Sequence, residues 1–117
     1  MARLNQSARF GDRQMPLKVS QELYDVYDYA EFVVGTGVTD YNVLANQSAL
    51  FKNCKSAWLV LMEYNKDISI KFNNTDMPAI ACGYETSPRE WRDVFKVSNI
   101  FITNNSGATA TIGILLV

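Results

Sequence analysis

The sequence predicts an all-β fold: an antiparallel β-sandwich or jelly roll of about seven to eight strands behind an extended N-terminal arm. Three observations predict it. Short runs alternate between apolar and polar residues with period two, and one longer run is continuously apolar. Turn-forming clusters of Asn, Asp, Ser and Gly interrupt these runs about every ten residues. Helical periodicity never extends beyond about one turn.

Residues 1–18 hold Gly11 and Pro16 and show no sustained period, so they read as the arm; residues 19–117 read as the sandwich domain. The arm carries Arg3, Arg9, Arg13 and Lys18 against Asp12, a net charge of +3. The rest holds seven basic and eleven acidic residues, a net of −4, so the overall charge of −1 conceals a polarity. Basic arms of this kind can hold nucleic acid or dock on an acidic neighbouring protein, a solvated tail being the plainer alternative. Leu4 and Phe10 among the cations, with Met15 and Leu17, would be wasted in water. Arg3, Leu4, Arg9, Phe10, Arg13 and Lys18 are therefore the candidate partner-binding residues.

Residues 19–29 fit helical spacing at Leu23, Val26 and Tyr27, yet lean towards extended structure because aromatic and β-branched content rises through 30–34. Gly35 and Gly37 mark a bend. Residues 40–45 (DYNVLA) read as a short strand with Tyr41 and Val43 on one side. Residues 46–53 (NQSALFKN) read as a connector with room for one helical turn, Leu50 and Phe51 plugging the core edge.

The second half is plainer. Residues 57–64 (AWLVLMEY) form the apolar run of a buried central strand. After a turn at Asn65-Lys66, Ile68, Ile70 and Phe72 alternate with Ser69 and Lys71, as in a strand with one wet face. Asn73 to Asp76 end it. Residues 77–82 (MPAIAC) make a short strand that Pro78 confines to an edge or a strand start. Ser87, Pro88 and Glu90 match a helix cap, first position and capping box, which predicts at most one turn of helix over 87–93. Strand character resumes over 95–103 (FKVSNIFIT). Asn104-Asn105-Ser106-Gly107 is the strongest turn signal, and 109–117 (TATIGILLV) forms the last strand. Ile68, Ile70, Phe72, Ile100, Ile102, Ile112 and Ile114 should share one core.

No run approaches the roughly 18 apolar residues of a membrane span. MARLNQSARFGDRQ lacks the apolar stretch of a secretory signal, so the expected protein is made and used without crossing a membrane by that route. The chain has no His, which removes the usual general base and the common Ser or Cys triads. Catalysis is disfavoured, and no cofactor or metal is expected. Cys54 and Cys82 are too few for a zinc site; they read as half-buried thiols, with a disulfide the lesser alternative. Asn46, Asn73 and Asn104 begin glycosylation patterns, for which ordinary turn chemistry is the preferred reading in the absence of a signal peptide. Asp25, Asp28 and Glu31 do not have calcium-loop spacing and read as a solvated face or an ion-pair partner for the arm. Arg89, Trp91 and Arg92 could stack on sugars or bases, although a core plug is the plainer role for Trp91.

DISIKFNNTDMPAI, SPREW and VSNIFITNNSGATATIGILLV together resemble the small β-sandwich structural domains of tailed-phage virions, in which an I-x-I-T-N-x-S-G-x-A hairpin recurs. VVGTGVTDYNV resembles the first strands of the same module. The resemblance implies non-enzymatic work by assembly (capsid decoration, fibre attachment or head–tail joining) in the virion. It also implies self-association, a trimer first, and contact with other virion proteins such as the major capsid protein. Nucleic acid would be reached only through the arm. The rival reading is a carbohydrate- or receptor-binding module of a fibre or tail, which a row of exposed aromatics on one sheet face would favour. A deep polar pocket holding two close carboxylates would instead point to an enzyme.

Overall fold

A computed structural model describes residues 26–83 and 88–117. Eight strands form two antiparallel four-stranded sheets. They are β1 (Asp28–Val34), β2 (Tyr41–Asn42), β3 (Ala57–Tyr64), β4 (Ile68–Phe72), β5 (Ile80–Gly83), β6 (Arg89–Val97), β7 (Ile100–Asn104) and β8 (Ala110–Leu116). One sheet runs β1-β8-β3-β6 and the other β2-β7-β4-β5. Strand β1 pairs with β8, β2 with β7, β3 with β6 and β4 with β5. That is a long hairpin folded at β4–β5 and rolled up, the topology of a jelly roll. Successive strands otherwise change sheets, so only β4–β5 is a hairpin between sequence neighbours.

Alternation places the side chains. Strands β4 (ISIKF) and β7 (IFITN) both bury every second residue, and they lie in register with Ile70 opposite Ile102 and Phe72 opposite Ile100. Strand β8 sits between β1 and β3, which explains its nearly unbroken apolar sequence. The seven residues expected to share one core all do so, with Phe32, Met62 and Leu116 among their neighbours. Val117 extends the ladder: its N–H donates to the Leu59 carbonyl, and its own carbonyl accepts from Leu59 and Trp58.

Asparagines fasten the corners. Asn104, almost fully buried, directs its amide nitrogen at the carbonyls of Val34, Gly35 and Ala108 at 3.1, 3.1 and 2.8 Å. Its amide oxygen accepts from the Ser106 N–H and hydroxyl. One side chain thus ties the end of β1 to the β7–β8 connection. Asn73 has φ of 72°, a left-handed backbone that Asn tolerates. Its amide oxygen accepts from the Ser98 N–H at 2.7 Å, and its amide nitrogen donates to the Lys96 carbonyl. The glycosylation patterns at Asn73 and Asn104 are therefore corner chemistry.

Four expectations are corrected. The segment 87–93 is not a helical turn: from Arg89 onward it belongs to β6, whose pairing with β3 overrides the capping signal, while Ser87 lies outside the described residues. The stretch 95–103 is two strands in different sheets, divided at Ser98-Asn99. The 40–45 strand stops after Tyr41–Asn42, because the Asn42 side chain accepts from the Ala45 N–H and caps a short helix, α1 (Val43–Asn46). The segment 100–109 (IFITNNSGAT), which departs from the family pattern at Thr109, is a crossing between sheets rather than a hairpin. The 46–53 connector does hold a 3-10 turn at Ser48–Phe51, with Leu50 and Phe51 buried. Among the described residues no helix is long and apolar enough to cross a membrane.

Candidate functional site

Arg3, Leu4, Arg9, Phe10, Arg13 and Lys18, the residues expected to bind a partner, lie outside the described residues, as does Asp25. The other sequence candidates divide between structural and exposed roles. Asp28 is buried at the start of β1, where its carboxylate accepts from the Asn53 N–H, the Cys54 N–H and the Asn53 amide. It fastens the β2–β3 connection beneath β1 and is no solvated face. Cys54 donates its thiol to the Leu116 carbonyl at 3.3 Å; burial, then the neighbouring Asp28, push its pKa up to about 11. Both cysteines are buried and free, so no disulfide joins them. A thiol held protonated in this way is a poor nucleophile.

Trp91 packs edge-on against Phe72, with ring centroids 5.2 Å apart, and Arg89 lies over its ring. Arg89 also donates to the Ala81 carbonyl, and Arg92 pairs with Glu90 at 3.4 Å. Trp91 is thus the core plug, and the two arginines brace β6 instead of offering a stacking platform.

The outer face of the β1-β8-β3-β6 sheet brings together residues far apart in sequence. Register places Glu31 on β1 opposite Gly113 on β8, and Gly113 opposite Glu63 on β3. The two glutamates therefore flank a glycine floor, their Cα atoms about 10 Å apart across two strand spacings. Tyr29 leans diagonally over that floor: a Cβ added to Gly113 would lie 3.1 Å from the Tyr29 hydroxyl and 3.7 Å from Glu63 Oε1. Glu31, Glu63, Tyr64, Asn65, Thr111 and Gly113 line an open depression of about 400 Å³. Asn65 closes one end, its amide oxygen accepting from the Thr111 N–H. The Tyr29 phenol is raised above its ordinary pKa by desolvation against the sheet, then by Glu31 and Glu63. At neutral pH it is a hydrogen-bond donor between two acceptors, not a base.

This arrangement accepts hydrogen bonds from a cationic or hydroxyl-bearing surface group. It is open to solvent. Among the described residues no three His, Cys, Asp or Glu side chains converge to hold a metal. Along the same edge Tyr27 and Tyr29 are each 56% exposed and Val33 is 55% exposed. Tyr27 and Tyr29 follow one strand, and Trp58, 42% exposed with Lys96 over its ring, lies at the start of β3; Gly113, Leu115, Leu61 and Glu63 of β8 and β3 intervene, so the aromatics form no continuous row across the sheet. Sequence reading missed this patch apart from Glu31. Its only local signal was a glycine within the apolar final strand.

No family model, no curated protein and no solved structure matches the chain.

Proposed function

We propose that this protein is a non-enzymatic structural protein of a tailed-phage virion, an accessory capsid or decoration protein that attaches to the head through subunit contacts. The observation that carries the reading is the exposed apolar strand β1 at the edge of a jelly roll, with Tyr27, Tyr29 and Val33 outward. Jelly rolls serve as capsid building blocks as well as lectins, an argument from fold analogy. The sequence resemblance supplies the virion context. In this reading the partners are further copies of the chain, a trimer by the resemblance, and the major capsid protein. The basic arm would add contacts to a neighbour. Imaging the protein in its native particle tests the reading, with symmetric density at defined sites expected. Absence from purified particles overturns it.

A specific feature favours a second reading, carbohydrate or receptor binding. An exposed tyrosine beside two carboxylates over a glycine floor can meet sugar hydroxyls with acceptors and a ring. Titration with glycans, followed by amide shifts at Gly113 and Thr111, would reveal it.

A further inference from the structure

Among the described residues the two sheets have four edges: β1 and β6 in one, β2 and β5 in the other. An open edge presents unpaired backbone N–H and C=O groups, which natural sheets protect with brevity, charge or bulges. Strands β2 and β5 are two and four residues long. Strand β6 bears Arg89, Glu90, Arg92, Asp93 and Lys96, and Asp93 takes a left-handed φ of 56° where the pairing with β3 shifts register. Strand β1 is neither short nor bulged, and Glu31 is the one exposed charge within it. It is seven residues long, its outward side chains are Tyr29, Glu31 and Val33, and Tyr27 continues the row.

We propose that β1 pairs antiparallel with β1 of a second copy, about a two-fold axis at Ala30, joining two four-stranded sheets into one of eight. That the partner is a second copy rests on the self-association in the reading above, with a two-fold contact giving a dimer in place of its trimer, whereas the register follows from the side chains. An axis at Ala30 sets Tyr27 opposite the partner's Val33 and Tyr29 opposite the partner's Glu31. Each Tyr29 ring, which leans over its own Gly113 in the single chain, would swing back to meet the partner's carboxylate, and each exposed valine meets a ring. An axis at Glu31 would set two carboxylates directly across from each other, which is destabilising. A register shifted by an odd number of residues would oppose side chains from different faces.

The area suffices for a specific contact. Each tyrosine, a little over half exposed, offers on the order of 100 Å². With the valines and the strand backbone, both copies together bury roughly 1,000 Å², near the lower bound for a biological interface. The contact is accordingly concentration-dependent.

Sedimentation of the full chain over a dilution series should show dimers that dissociate on dilution. Val33→Lys should weaken them at least tenfold without altering thermal unfolding, since Val33 is exposed. Val94→Lys, at an exposed site on β6, should leave them unchanged. Residues opposite each other across an antiparallel pair have Cα atoms about 4.5–5.5 Å apart, within disulfide range. Ala30→Cys should therefore cross-link to itself under mild oxidation. Deleting residues 1–25 should leave the dimer intact. A chain that stays monomeric overturns the proposal. So does a trimer, or any dimer, that survives Val33→Lys and forms no cross-link at residue 30. Loss of the dimer on deletion of 1–25, with Val33→Lys silent, also overturns it and assigns the contact to the arm. A monomer found in purified particles sinks the strand pairing alone. A cross-linked dimer absent from particles sinks the virion reading alone.

Discussion

Replacing Asn104 with Ala should cost about 3 kcal/mol. Two N–H bonds are shared among three buried or half-buried carbonyls, those of Val34, Gly35 and Ala108. Ala leaves the Val34 and Gly35 carbonyls without that donor and the Ser106 N–H without its acceptor, at about 1 kcal/mol each, while the Ala108 carbonyl keeps the Ser106 hydroxyl. The backbone bond from the Asn104 N–H to the Val38 carbonyl survives, so the loss belongs to the side chain. For a domain of this size the shift in Tm is roughly 4 °C per kcal/mol, or about 12 °C. Urea unfolding of both proteins, with the slope unchanged and the midpoint lowered, measures it. Asn104→Asp provides the sharper test. The replacement has the same shape but turns a carboxylate oxygen towards carbonyl oxygens, so at pH 7 it should be worse than Ala. Its penalty should shrink in acid, where the protonated carboxyl can donate again. A loss below about 1 kcal/mol for Asn104→Ala, or a milder effect for Asp than for Ala at pH 7, would refute the reasoning.

Ile70→Ala and Ile102→Ala should each cost roughly 2–5 kcal/mol by chemical denaturation. Because these two residues face each other across β4 and β7, the double variant should depart from additivity. Cys54 binds its proton more tightly folded than unfolded, so its contribution is full below the ordinary thiol pKa near 9. It should be lost as pH rises through about 11. Melting curves from pH 8 to 11.5 should show a decline that Cys54→Ala flattens; parallel declines would count against it. Gly113→Ala should be nearly neutral, because the one tight contact of the Cβ is with the movable Tyr29 hydroxyl and the others are ordinary van der Waals distances, while Gly113→Val should displace the Tyr29 ring and alter its fluorescence. Deleting residues 1–18 should reduce incorporation into particles while leaving the dimer and the domain's melting curve in place; loss of folding would show that the arm belongs to the core.

The strands that were legible from sequence are those whose environment is simple. Residues 57–64 lie in the body of a sheet and match β3 at both ends, and the Ile68–Phe72 alternation reports one wet and one dry face. Misreadings arose where local chemistry and long-range pairing disagree. The Ser87-Pro88-Glu90 pattern is a sound helix start, but Trp91 and Phe95 gain more by packing against Phe72 from an extended β6. At Asn42 the opposite happened, and a side-chain cap ended a strand that Tyr41 and Val43 seemed to continue. The Glu31–Gly113–Glu63 row could not be read at all, because it depends on which three strands become neighbours. Nothing in 28–34, 57–64 or 110–116 alone states that.

The pairing of β1 with β8 also sets the order in which the fold can be completed during synthesis. Strand β8 is the middle member through which β1 joins its sheet, and residues 35–109 must be made between the two. At about 5–20 residues per second, β1 leaves the ribosome several seconds before its partner exists. During that interval its apolar residues have no sheet to join, and a chain stopped at Gly107 could not hold β1 at all. A nonsense mutation late in the gene should therefore yield an insoluble product, not a slightly shortened domain. The β4–β5 hairpin, whose strands are sequence neighbours, can form without waiting.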